Sequence, residues 1–437
     1  MKLRIKLPVV AVAAALTVAG ATSALAVEHQ FGGAYTLLFD NSNFNPDGVI
    51  SSNEPTKNFI EQRVRLGYTA KANDNLKLVS MFELDYAYWG NSAYATKRNQ
   101  GGAIGADSVN LETKNLYLDM NVDAIKTNVK AGMQAFDDSY KGVFAGADMA
   151  GLLFTHNYSK ATASAGFFRL DDENGLGKNS RDFFLVDAKY ELSKSTKVGA
   201  SYYYVNSDNV DINNDTKFDP TATPVVEDLY VHMLGVNAET TMGNLTLDGF
   251  AAYQFGKERN TGIDRSAFAA NVGARYKIAK DTLRAEFLYV SGDKDNSSKH
   301  SFYTPVDKWQ LAESGFYNNE MVILGRDKFA MTNDNAIVYD ANNRNQGVIF
   351  GSVGYDHPFS DKLAGSVNAG FAAVAKDNGQ ASGSSDYLGT EVNAELGYKL
   401  MDNVTLTARG GYVFLGDYFS SSDDNPYDVK LIARYSF

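Results

Sequence analysis

The sequence contains no cysteine. That excludes disulfide staples, thiolate metal sites and covalent haem attachment. Proline is scarce, at 8 of 437 residues, so few positions interrupt a backbone hydrogen-bond ladder. After Ala26 no run of about 18 apolar residues occurs, which excludes a membrane-spanning helix. Basic residues are outnumbered, 41 against 52 acidic, and nucleic acid is not an expected partner. The histidines, His29, His156, His232, His300 and His357, are scattered without metal-ligand spacing. No Ser, His and acidic trio converges either, so no enzymatic activity is expected.

What is present begins at the amino end. Met1 to Ala26 has a basic start (Lys2, Arg4, Lys6), an apolar stretch from Leu7 to Ala19 and the small-residue site Ala24-Leu25-Ala26. This reads as a secretory signal peptide, residues 1–26, cleaved before Val27. The exported chain, residues 27–437, would carry 38 basic against 52 acidic residues, a net of −14. Its apolar content is dominated by 26 Tyr and 26 Phe.

Period-two alternation recurs in segments of about ten residues, the length a tilted strand needs to cross a membrane. In Asn58 to Ala70, Ile60, Val64, Leu66 and Tyr68 share one face, and Glu61, Arg63 and Arg65 the other. Leu76 to Trp89 repeats the pattern, with Lys77, Glu83 and Asp85 inward. The last eleven residues do the same: Tyr427, Val429, Leu431, Ala433, Tyr435 and Phe437 alternate with Asp428, Lys430, Ile432, Arg434 and Ser436. Lipid on one side and water on the other satisfies such a strand.

Short connections fall near 72–75, 122–127, 159–160, 193–195, 241–244, 279–281, 358–361 and 401–403. Eight tight turns joining longer loops predict an all-β fold, a transmembrane antiparallel β-barrel of about 18 strands, with 16 as the alternative. Periplasmic turns are short and external loops long. Residues 292–346 exceed an ordinary loop and are expected to form an ordered external excursion. Tyr68, Tyr158, Tyr190, Tyr276, Tyr398 and Phe437 would form the periplasmic aromatic girdle. Little precedes a first strand near Phe31 to Phe39, so no amino-terminal plug is expected.

The closing strand, with Tyr435 and terminal Phe437, resembles the assembly signal of Gram-negative outer-membrane β-barrels. The resemblance implies an outer-membrane location among lipid and lipopolysaccharide, and insertion by the barrel-assembly machinery. Asp137 to Ala150, D-D-S-Y-K-G-V-F-A-G-A-D-M-A, lies between the fifth and sixth expected strands. General diffusion porins place there the loop that folds inward and narrows the pore. Carried over, Asp137, Asp138 and Asp148 would be rim carboxylates facing a basic wall of Arg63, Arg65, Lys77, Lys114 and Lys130. The resemblance further implies a homotrimeric porin, a water-filled channel for passive diffusion of ions and small polar solutes. A substrate-selective 18-stranded channel and a structural or adhesive barrel with a plugged lumen are the alternatives. Net acidity favours weak cation selectivity.

No cofactor is required. One external segment, Asn43 to Glu54, nevertheless has the donor spacing of an EF-hand calcium loop: Asn43, Asn45, Asp47, the Val49 carbonyl, Ser51 and Glu54, with Gly48 at the turn. Ca2+ is a possible ligand there, weakened by Asn43 in place of the usual Asp. Asp211, Asn213, Asp215 and Asp219 repeat the spacing less completely.

Overall fold

Alternation forces a choice on every strand: the apolar row needs lipid, and the charged row needs water or a counter-charge. In the computed structural model, which describes residues 27–90, 110–172, 179–211, 226–294, 298–306, 315–332 and 334–437, eighteen antiparallel strands meet both needs by closing into a ring. The last, Tyr427–Ser436, pairs with the first, Glu28–Ser42, from Ala34↔Ser436 to Ser42↔Asp428. Closure leaves the wall without an edge. A two-residue strand, Lys299–His300, runs parallel to Asp264–Arg265 and stands outside the ring. The expected count of eighteen therefore holds, and all eight expected short turns lie between consecutive strands. The signal-peptide reading, 1–26, falls outside the described residues.

Side-chain parity follows the sequence. Val429, Leu431 and Tyr435 are exposed on the outer face, while Asp428 and Lys430 are buried on the inner one. Tyr158, Tyr190, Tyr276, Tyr398 and Phe437 are exposed near the short-turn ends, as an interfacial girdle requires. At the seam, Phe437 N–H donates to the Gly33 carbonyl (3.0 Å), and Gly33 N–H donates to the Phe437 carbonyl (2.8 Å). Gly33 has no space for a side chain: a Cβ would collide with the Arg65 carbonyl and lie 2.9 Å from Phe437 Cζ.

The lumen is not left empty. The fifth strand, Thr127–Asp137, stays with the fourth, Asn110–Val122, only as far as Met133↔Leu116. The sixth, Gly146–Asn157, joins the seventh, Ala161–Asp172, only from Ala150↔Arg169. Their mutual ladder nevertheless continues to Asp137↔Gly146. The hairpin tip has thus left the wall on both sides and turned inward. Gly132, with φ of 131°, stands at the departure point, a backbone state that L side chains resist. Phe136 packs on Phe168 and Phe183, and Tyr140 on Tyr203 and Phe250.

The second inward segment corrects an expectation. Residues 292–346 are not simply an external excursion, because Met321, Val322, Ile323 and Leu324 are fully buried in the apolar cluster that fills part of the barrel. Two apolar runs account for this. Ile337 N–H donates to the Ile323 carbonyl (2.8 Å) and Val338 N–H to that of Leu324 (3.1 Å), so the runs satisfy each other's backbone while hiding their side chains.

Gly33→Ala should reduce the fraction of barrel that keeps its folded electrophoretic mobility without heating. Gly397→Ala, whose Cβ would meet only the Ala364 carbonyl at 4.0 Å, should not. Equal folded fractions would show that the seam tolerates a side chain.

Candidate functional site

Between the inward hairpin, the 292–346 segment and the wall lies a chamber of about 1150 Å³. Eight cationic and eight anionic side chains line it. Taken out of bulk water, such groups need partners. Arg63 donates to Asp85 (3.1 Å), Arg65 pairs with Glu83, and Lys114 with Asp148 (2.6 Å). Across the chamber Lys141 bridges Asp248 (2.7 Å) and Glu286, while Arg275 also holds Asp248 (2.9 Å). Arg284 binds Asp356 (2.7 Å), and Lys328 binds Glu320 (3.0 Å). Arg326 differs. Its guanidinium lies 3.9 Å from the centre of the Phe316 ring and 5.5 Å from that of Tyr339. Its Nε has no hydrogen-bond partner, and no carboxylate pairs with it among the described residues.

Buried carboxylates and cations of the wall hold the inner segment in place. Glu391 accepts three backbone N–H groups in succession, from Val322 (2.7 Å), Ile323 (3.0 Å) and Leu324 (2.7 Å). Arg409 donates to the carbonyls of Glu320 (2.9 Å) and Met321 (3.1 Å) and to Glu395 (2.6 Å). Lys430 gathers Asp327 (3.0 Å), Asp334 (2.9 Å) and Asp428 (3.2 Å). Burial alone would raise Asp327, but Lys430 and Arg409 outweigh it and hold that carboxyl below its ordinary value. At Asp334 burial wins over Lys430, and the carboxyl is raised.

Of the residues singled out from sequence, Arg63, Arg65, Lys114 and Asp148 meet in the chamber lining. Lys77 pairs with Asp119 (3.2 Å) along the wall, and Lys130 sits 5.5 Å from the centre of the Tyr117 ring; neither lines the chamber. Asp137 is exposed and also lies outside that lining. Asp138 is not a rim carboxylate. Although the residue keeps partial exposure, its carboxylate turns into the loop and accepts N–H groups of Tyr140 (2.7 Å), Gly142 (2.9 Å), Phe144 (2.8 Å) and Ala145 (2.7 Å). It organises the tip. Strand parity already placed Glu83 and Asp85 inward; Lys141, Glu320, Arg326 and Lys328 lie on aperiodic segments and carried no such signal.

The calcium-like loop does not gather its donors. Asn45 turns inward and donates to Asp428 (2.7 Å) and Asp334 (3.0 Å), while Asn43 Oδ1 accepts from Tyr427 N–H (2.7 Å). Asp47 and Glu54 both hold Lys57 Nζ, at 2.8 and 2.9 Å, and Ser51 donates to Glu54 (2.7 Å). Val49 is exposed. An ammonium group therefore bridges the two carboxylates that the EF-hand spacing assigned to a metal. Asn213, Asp215, Asp219 and the Asp211 side chain lie outside what is described.

Burial pushes Asp138 up from 3.8 to about 6, against the pull of its four N–H donors. A raised folded-state value means that docking favours the protonated form: this contribution is full below pH 3.8 and is lost as pH rises through 6. Amides of residues 140–145, corrected for intrinsic exchange, should therefore open about tenfold more readily at pH 7.5 than at pH 5. Asp138→Asn should remove the difference, as read by hydrogen-exchange mass spectrometry.

Residues 159–319 match the alginate export family. No curated protein matches the chain. Among solved structures, Pseudomonas aeruginosa OccK5 (OpdH) is similar at 15% identity and a TM-score of 0.55, covering 94% of this chain and 98% of that one. Acinetobacter baumannii OccAB4 gives 14% identity, a TM-score of 0.56 and coverage of 94% and 98%. Pseudomonas aeruginosa OpdK with vanillate gives 12%, 0.56, 94% and 98%. The OpdK structure is also described as that of an outer membrane protein. Eighteen strands closed in register, with this coverage of both chains, give the protein the fold of Gram-negative outer-membrane β-barrels.

Proposed function

We propose that the protein is an outer-membrane channel through which ions and small polar solutes diffuse passively, with selection exercised in the chamber. The chamber carries this reading. Its walls are charged and paired, and two segments of the same chain reduce the lumen to a volume suited to small solutes rather than folded partners. The similarity in fold to OpdK, whose structure is described with vanillate, supports a channel that takes up small solutes individually over a wide, unspecific one. A lining of eight cations and eight carboxylates does not favour a polyanion such as alginate, which would need a continuous basic track. The apolar cluster beside the chamber favours one rival, a plugged structural barrel.

Planar-bilayer recording separates these. The wild-type protein should give small, discrete conductance steps, with weak cation preference in the reversal potential because the net acidic surface concentrates cations at the channel mouths while the chamber lining itself is balanced. Glu391→Ala should enlarge the steps by releasing residues 322–324 from the wall. Absence of any conductance would favour the plugged barrel.

A further inference from the structure

On the wall of the chamber, Glu83 and Asp85 share the inner face of the third strand, Leu76–Tyr88, and Glu112 on the fourth stands directly opposite Glu83. Like charges directly opposed across a strand pair repel. Here one carboxylate oxygen from each of the three lies within 4.8 Å of the others. Arg65, opposite Glu83 on the second strand, bonds to it, and Arg63 reaches Asp85. These five groups sum to a formal charge of −1.

The arginines do not use all the oxygen atoms. Asp85 is 5% exposed, and its Oδ2 takes both Arg63 (3.1 Å) and the Thr332 hydroxyl (3.3 Å), yet its Oδ1 is buried with no hydrogen-bond partner among the described residues. A buried anionic oxygen without a donor is costly. With the two arginines already engaged on neighbouring oxygens, its complement is a hard cation. Coordination habit then separates two candidates: Ca2+ accepts irregular sets of oxygen ligands, whereas Mg2+ demands near-octahedral geometry and gives up its waters reluctantly.

We propose that Glu83, Asp85 and Glu112 form a Ca2+ site on the chamber wall. The ion competes with Arg63 and Arg65 for the carboxylates and turns the local sum from −1 to +1. Because the described lining as a whole, these five groups included, balances cations against carboxylates, a bound Ca2+ leaves the chamber net positive, and permeant anions gain at the expense of cations.

The test uses the whole chain, refolded in detergent free of lipopolysaccharide, stripped with EDTA and titrated with CaCl2 or MgCl2 by calorimetry. One Ca2+ per chain is expected, with Mg2+ weaker. Glu112→Gln and Asp85→Asn, checked for folding by heat-modifiable mobility, should each weaken Ca2+ by roughly tenfold or more. In bilayers Ca2+ should move the wild-type reversal potential toward anions and leave that of Glu112→Gln unmoved. Absence of saturable binding, or binding unchanged in both variants, overturns the site. Binding lost instead in Glu54→Gln would place the ion in the external loop and equally overturn it. Calorimetry does not depend on transport, so its failure is distinct from failure of the channel reading.

Discussion

The grip of Glu391 on the backbone of Val322, Ile323 and Leu324 is the contact on which the interior depends. A closed wall alone specifies a tube, not a chamber. A carboxylate accepting three N–H groups satisfies a turn of chain that would otherwise bring unpaired donors into an apolar cluster. Hydrogen bonds to a charged group contribute about 1.5 to 3 kcal/mol each, and an abandoned buried donor costs a similar amount. Glu391 therefore decides where the inner segment stops, and the chamber is the space left over.

Arg409 and Lys430 serve the same segment in another way. Both are essentially buried, and ion pairs so placed gain little net stability, because desolvation offsets their attraction. Their value lies in the cost of any other arrangement. Lys430 parted from Asp327 and Asp334 would lose two of its three paired carboxylates while still buried, so the segment carrying those residues has one acceptable register against the wall. Asn45, donating to Asp334 and Asp428, ties the first external loop into the same arrangement.

The wall was legible because period two is a local property. The inner row of the closing strand, the short turns and the inward Arg63 and Arg65 each follow from a few neighbouring residues. The interior was not, because its contacts join residues far apart in the chain, as between Glu391 and Val322, and no period marks the inner partner. Met321 to Leu324 are four apolar residues in a row with no alternation to assign them a face, and their backbone partners, Ile337 and Val338, belong to another short run of the same segment. Asp138 illustrates a different failure. An Asp opening a tight turn is equally a capping residue, satisfying N–H groups ahead of it, and the geometry chose that role over the pore rim.

Net charge also misleads at this scale. Exposed charges more than about 8 Å apart are largely screened at physiological ionic strength, so the acidic sum of the whole chain does not set the field inside the chamber. Local pairing does. Most of the lining cations already hold a carboxylate, and an arriving anion must break that contact before it gains another. Arg326, stacked on Phe316 and Tyr339, requires no such exchange among the described residues. Discrimination in a charge-balanced chamber thus rests on which pairs a solute can replace, and an unpaired guanidinium on an aromatic face is the position where replacement costs least.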